Sequence, residues 1–561
     1  MSESLKLAQE QNPDGTTSAT TTMANSKQQQ EKELKVKSDK VVPIVFIPGI
    51  MGTNLWNTRT NKIAWVAPNT DTILSNISAF GSFFAALMST AKSRQDDLDG
   101  REGVMTVYKD AEIGNQGLTD PITEEELNRR GWGGIMRSAY HPVMVLIQNQ
   151  MNNIMENNTL QGWWKENGSS PPSEWGDWND NPTLKKEVMG HAAEVRYEVW
   201  AAGYNWLQSN ADSAKDIIKF IEETVLPSYS SADKVIIVTH SMGGLVARAM
   251  IGIHHYEKIY GVVHGAMPAT GAPAAYRRIR AGFEGDGIKG YIARQILGPT
   301  AKETVAVLAF SRGGLELLPS ANYGEGKEWL FARDRNQVDE KRLSVKDLIA
   351  LPQKQNPYDD IYKSDKWWGL IPKENEDLID PKKLFKPKKG RGWDEPVTKR
   401  ELFEENINLV KTFHLAIQES YHTNTYVHYS ADAENKDLIT WSDIVWASEY
   451  VGWGDIKQFK ITKDDYTGNI VLDHGYRFTF EPKTSPGDGT VPVVSAASSR
   501  NFTNVKAAFA HGKNSKLHPN VCKKGIHNNS NGYLHQEAYN DTRTHYATLY
   551  SIASISRDVQ I

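Results

Sequence analysis

The stretch KVIIVTHSMGGLVARAM, residues 234 to 250, sets a hydroxyl at a joint: β-branched residues that favour a strand precede Ser241, and Gly243, Gly244 and a helix-forming run follow it. A helix starting there aims free N–H groups and its positive end at the serine. That favours the oxyanion formed when a hydroxyl attacks a carbonyl, with the Met242 N–H as one donor. The competing interpretation of the same letters is a buried strand followed by a helix with an ordinary N-cap serine. A serine nucleophile needs a base, and the base needs an acid that fixes its tautomer and stabilises the imidazolium. SPGDGTVPVVSA (485–496) offers Asp488 in a Gly-Asp-Gly loop ahead of an apolar run, although Asp-Gly is equally at home in a plain β-turn. His511, His518, His527, His535 and His545 all follow it. His535 is the choice, because it lies just ahead of a helical run ending in Leu549, Ile552 and Ile555 that would anchor its loop. His545 falls inside that run, and the others fall in a Lys- and Asn-rich stretch. His240 and His264, at strand ends, suit supporting roles, and His240, next to the serine, would point away from it.

These residues need a scaffold. A strand–Ser–helix joint with small residues around it is the nucleophile elbow of α/β-hydrolases, in which a tight turn lifts the hydroxyl above the sheet edge. The usual pattern is Gly-x-Ser-x-Gly; here Thr239 stands at the first glycine, which predicts a slightly more open turn. Short apolar runs at VVPIVFIPG (41–49), KVIIVTH, IYGVVHGAMP (259–268) and NTYVHYS (424–430) predict buried parallel strands. After the first comes PGIMGTNLW (48–56), whose Gly49 and Gly52 permit the backbone angles of a loop supplying a second oxyanion N–H. Ile217, Ile218, Ile221 and Val225 recur at helical spacing, and strands alternating with helices imply right-handed crossovers. The fold class expected is α/β: an α/β-hydrolase fold, a mostly parallel sheet flanked by helices, with two large lid or cap insertions. The division is a disordered leader (1–40), a core (41–60, 190–295 and 405–561), a first insertion (61–189) and a second (296–404). The first holds Trp163, Trp164, Trp175 and Trp178 and a run, 73–91, with the apolar stripe of an amphipathic helix. The second holds Trp367 and Trp368. Both insertions are expected to form lids over a groove for acyl chains.

Composition sets the bounds. At 561 residues the chain exceeds what one core usually organises. A net charge of −4, with no basic stripe, argues against a nucleic-acid partner. Cys522 is the single cysteine, so neither a disulfide framework nor a thiolate zinc site is expected, and the chemistry above requires no metal or cofactor. No apolar run is long enough to cross a bilayer, and the N-terminal stretch lacks the apolar core of a signal peptide; membrane contact is expected to be peripheral, after synthesis in the cytoplasm.

VFIPGIMGTNLW, GYNW, VTHSMGGLVAR, GDGTVP and LHQEAY, in that order, resemble serine lipases related to lecithin:cholesterol acyltransferase and the GPI inositol deacylases. HGAMPATGAPAAYRRIRAG (264–282) and GGLELLPSANYG (313–324) are most similar to bacterial phospholipase effectors of type VI secretion. The resemblance implies Ser241 as nucleophile, Asp488 as acid, His535 as base and the N–H groups of Met51 and Met242 as oxyanion hole. It further implies a membrane phospholipid substrate, toxicity to rival cells, delivery by a secretion apparatus and an immunity protein as partner. The alternatives are an acyltransferase that moves the acyl chain to an alcohol, and a hydrolase-like binding protein without turnover.

Overall fold

Along Val41–Ile47 (β1) the side chains alternate between two buried sets, Val41, Val45 and Ile47 on one side and Val42, Ile44 and Phe46 on the other, as a strand covered on both faces requires. β1 is joined by Arg196–Ala201 (β2), Val235–His240 (β3), Ile259–Gly265 (β4), Thr425–Ser430 (β5) and Val505–His511 (β6). They form a six-stranded sheet in the order β6-β5-β4-β3-β1-β2, every neighbouring pair parallel. In this computed structural model the described residues are 38–67, 90–114, 117–284, 298–339, 344–386, 397–452, 454–512 and 532–561, plus 10–11 and 17–18. Within the leader expected to lack structure, Glu10–Gln11 pairs antiparallel with Thr17–Ser18. Of the amphipathic run 73–91 only its last two residues are described, at the start of the helix Ala91–Asp97; Cys522, His518 and His527 lie outside the described residues.

Four strands coincide with the apolar runs. β2 and β6 do not. RYEVWA carries two charges, yet it is buried, because Arg130 bonds Glu198 at 2.5 Å and Arg196 lies 3.4 Å from the same carboxylate. Charge that is paired inside leaves no apolar pattern to recognise.

One face of the sheet is covered by Asn210–Phe220 (α2), Gly243–Gly252 (α3) and Lys399–Ile417 (α5), through residues such as Ile217, Leu245, Val246 and Phe403. Arg137–Met151 (α1) and Thr542–Ile555 (α6) cover the other through Val143, Ile147, Leu549 and Ile552. Caps fix where these helices begin: the Ser209 hydroxyl accepts from the Ala211 N–H, and Thr398 forms a capping box with Glu401.

Trp164 and Trp175, expected in a lid, are buried on the α1/α6 face of the sheet; Trp175 stacks on Tyr546 of α6 at 4.6 Å. A second six-stranded sheet draws Leu330–Asp339 and Ser344–Leu351 from the 296–404 stretch and four strands between Ile444 and Phe480 from beyond it. Pro273–Ala281 (α4) is tied to it by Arg280, whose Nη1 lies 2.9 Å from the Asp464 carboxylate, both groups buried. Among the described residues no helix is long and apolar enough to cross a membrane.

Candidate active site

At the end of β3 the chain turns on Ser241, whose φ of +52° lies in the left-handed region that residues bearing a Cβ seldom enter. The turn is held by the Ser241 N–H donating to the Gly265 carbonyl at 2.9 Å and by the Gly244 N–H donating to the Ser241 carbonyl at 2.9 Å. α3 can start here because residue 243 is glycine: a Cβ would stand 2.5 Å from the Ile47 carbonyl oxygen and 2.6 Å from that of Pro48. Thr239 is fully buried, its hydroxyl 2.9 Å from His264 Nδ1 on β4, and its carbonyl accepts from the Tyr539 hydroxyl at 2.8 Å. Burial lowers His264 to a pKa of about 3, so its ring bonds as a neutral group.

Residues 488 and 535 reach the turn from far along the chain. His535 Nε2 is 2.8 Å from Ser241 Oγ, a partner 294 residues away, and His535 Nδ1 is 2.7 Å from Asp488 Oδ2. The other carboxylate oxygen accepts the N–H groups of Thr490 at 2.9 Å and Val491 at 2.7 Å. Every partner of the carboxylate is a donor, so the imidazole carries its proton on Nδ1, and Nε2 is left to accept from the serine. All three side chains are buried, Asp488 most deeply at 2% exposure.

The loop after β1 arrives from the other side. Gly49 to Gly52 form a turn closed by the Gly52 N–H on the Gly49 carbonyl at 3.1 Å, with Met51 at φ +64°, as the third position of a type II turn requires. Trp65 Nε1 donates to the Met51 carbonyl at 2.8 Å and orients its peptide. Among the described residues no hydrogen bond takes up the Met51 or Met242 N–H.

A cavity of about 420 Å³ opens above Ser241 and His535. Its walls are largely apolar, with Met51, Trp65, Ile279, Phe283, Leu317 and Trp441 prominent, and its charged lining groups are Arg278 and Lys483 alongside the carboxylates Glu284, Asp437, Asp488 and Glu537. Arg278 and Arg277 share Glu284, at 3.2 and 3.5 Å. Burial pushes the Glu284 carboxyl up, but the two guanidinium groups outweigh it and hold the pKa below the ordinary value. Arg278 Nη2 also reaches Thr490 Oγ1 at 3.5 Å, two residues from Asp488.

Residues 177–314 match the PGAP1-like alpha/beta domain family. The crystal structure of the Tle4–Tli4 complex contains a chain 35% identical to this one, with a TM-score of 0.76 over 93% of this chain and 99% of that one. The chain belongs to the Tle4 family. It is an α/β-hydrolase of the lipase and phospholipase class. Lipase 1 from Pelosinus fermentans aligns over 72% of this chain and 96% of that one at 14% identity and a TM-score of 0.23. No curated protein matches the chain.

Several residues of this Tle4-family site give no sign in the sequence. Tyr140, on α1, holds the turn at Gly49 and the ring of His240, but it stands in its helix as one aromatic among apolar neighbours. Trp65 and Arg278 likewise lack a local motif. Of the histidines passed over, His511 is buried with Nε2 2.8 Å from the Trp175 carbonyl, and His545 bonds the Tyr539 carbonyl at 2.9 Å. Among the described residues, the imidazole bonded to Ser241 and to the Asp488 carboxylate is that of His535.

Proposed function

We propose that this chain hydrolyses carboxyl esters of phospholipids through an acyl-enzyme on Ser241. The observation that carries the reading is the unbroken row Asp488–His535–Ser241 at the base of a largely apolar cavity. His535 Nε2 takes the proton as Ser241 Oγ bonds to the ester carbonyl carbon. The negative charge that develops on the carbonyl oxygen is received by the N–H groups of Met51 and Met242. Collapse of the tetrahedral adduct breaks the ester C–O bond, and the departing alkoxide takes the proton back from His535. Water, deprotonated by the same imidazole, then attacks the acyl-serine; the bond from the acyl carbon to Ser241 Oγ breaks, the fatty acid leaves, and His535 returns its proton to Oγ. Asp488 keeps the tautomer correct and stabilises the imidazolium.

The cavity supports a lipid substrate through its apolar walls, and among its charged lining groups Arg278 and Lys483 are the ones that offer charge-assisted donors to a headgroup phosphate. Family membership supports an effector delivered by type VI secretion into target cells, and the pairing of Tle4 with Tli4 supports an immunity protein for this chain too. The test is incubation of phospholipid vesicles with wild type and Ser241→Ala, products resolved by mass. Fatty acid and lysophospholipid are expected from the wild type only, with fluorophosphonate labelling confined to it. Undiminished hydrolysis by Ser241→Ala would reject the reading. For the cellular role, the wild-type chain directed to a bacterial periplasm is expected to arrest growth while Ser241→Ala does not.

A further inference from the structure

Between the turn that follows β1 and the loop that carries His535 runs a buried line of hydrogen bonds. The Gly49 N–H lies 3.2 Å from the Tyr140 hydroxyl oxygen, that oxygen lies 3.1 Å from His240 Nδ1, and His240 Nε2 lies 2.9 Å from the His535 carbonyl oxygen. Each direction is forced. A carbonyl only accepts, so His240 Nε2 bears the proton; Nδ1 of the neutral ring then accepts, and the tyrosine must donate to it. A backbone N–H only donates, so the same tyrosine oxygen accepts from Gly49. Tyr140 and His240 are each 2% exposed, so water has little access to any of these bonds. Burial first, and the neighbouring His535 ring second, lower His240 to a pKa of about 3, which keeps the ring in the one state this pattern allows.

The contacts around the line are close. A Cβ at residue 49 would lie 2.9 Å from the Ser241 Cβ and 3.0 Å from His240 Nδ1, and a Cβ at residue 52 would lie 2.7 Å from the Tyr140 hydroxyl. Both ends of the turn bearing Met51 therefore rest on Tyr140. At the other end the His535 backbone is gripped on both sides of its Cα: its N–H donates to the Asp488 carbonyl at 2.9 Å, and its carbonyl accepts from His240.

We infer that Tyr140 and His240 are positioning residues which set the oxyanion-binding turn and the imidazole base at a fixed separation, so that both meet one carbonyl group on Ser241. This rests on the roles given above to Ser241, His535 and Met51. Neither residue lines the cavity above Ser241; they act through Gly49 and through the His535 backbone. Removing the Tyr140 hydroxyl leaves the apolar packing of the ring against Phe46, at 5.1 Å between centroids, in place.

The test compares wild type, Tyr140→Phe, His240→Gln, His240→Leu and Ser241→Ala as full-length chains. Short-chain ester hydrolysis, the rate of fluorophosphonate labelling and melting temperature are measured for each. Tyr140→Phe is expected to melt within a few degrees of wild type and to lose kcat and labelling rate about 10- to 100-fold with KM nearly unchanged, the size of loss that a misplacement near 1 Å produces. His240→Gln, which keeps a donor for the His535 carbonyl, is expected to recover much of the activity that His240→Leu loses. Wild-type kcat and labelling in a folded Tyr140→Phe overturns the inference, and so does a loss confined to KM. A variant His240→Leu that fails to fold is replaced as evidence by the Tyr140→Phe and His240→Gln pair. Activity surviving in Ser241→Ala would instead strike at the nucleophile, a separate failure.

Discussion

The Asp488 carboxylate receives three hydrogen bonds and gives none, and this one-sidedness is what fixes the proton of His535 on Nδ1. Asparagine would present an N–H₂ to the ring or to the Thr490 and Val491 N–H groups, and either choice breaks the arrangement. Asp488→Asn is expected to keep the fold and lower kcat by about 10⁴, measured as initial rates on a soluble ester. At the same scale, Arg278→Ala is expected to slow phospholipid hydrolysis about tenfold while leaving an uncharged ester nearly unaffected, since only the former offers a charge-assisted hydrogen bond to lose. Equal losses on both substrates would remove Arg278 from headgroup recognition. The three residues of the Ser241 row could be found from the chain alone because each stands in a local pattern: His-Ser before Gly-Gly, Gly-Asp-Gly, and a histidine ahead of a terminal helix. Tyr140 could not, because its partners Gly49 and His240 lie 91 and 100 residues away.

Among the elements, the decisive contact is the approach of α3 to the end of β1. Gly243→Ala would put a methyl carbon within 2.5 Å of a backbone oxygen on that strand, and backbone cannot swing aside as a flexible side chain can. The expected result is a loss of about 1–3 kcal/mol in urea unfolding, together with slower fluorophosphonate labelling, because the only relief is to move the serine turn away from the Gly49 loop. Unchanged stability would mean that the elbow tolerates a wider spacing. Periodicity predicted four of the six main-sheet strands because their apolar runs are unbroken. β2 escaped it because Arg196 and Glu198 are neutralised by each other and by Arg130, a residue that meets them only after folding.

Across the whole molecule, Glu316 joins parts of the chain that sequence keeps apart. Its carboxyl accepts from Ser209 Oγ at 2.7 Å and from the Asn210 N–H at 2.8 Å at the start of α2, while its carbonyl accepts from His414 Nε2 on α5 at 2.8 Å. Burial raises the carboxyl to a pKa of about 7, the hydrogen bonds from Asn210 and Ser209 opposing it only in part. A raised carboxyl means that the folded protein holds its proton more tightly than the unfolded chain does. This contribution to stability is therefore complete below the unfolded value of 4.5 and is lost as pH rises through about 7. Glu316→Gln, which mimics the protonated group, is expected to flatten that part of the stability profile, seen as a smaller fall in melting temperature between about pH 5 and pH 8 than the wild type shows. An identical fall in both proteins would place the titration elsewhere.

Local chemistry was legible in runs of neighbouring residues: which hydroxyl sits at a strand–helix joint, which loop carries a carboxylate, which histidine precedes the last helix, and the α/β class. Those are properties of neighbouring residues, and backbone propensity and turn geometry act over just that range. Folding alone brought out what depends on distant chain segments meeting: the two charged and small-residue strands at the sheet edges, the second sheet assembled from both sides of residue 404, the tryptophans turned inward to the sheet, and the Tyr140–His240 line. Burial, paired charge and forced hydrogen-bond direction arise only once those segments are in contact, so no window of sequence contains them.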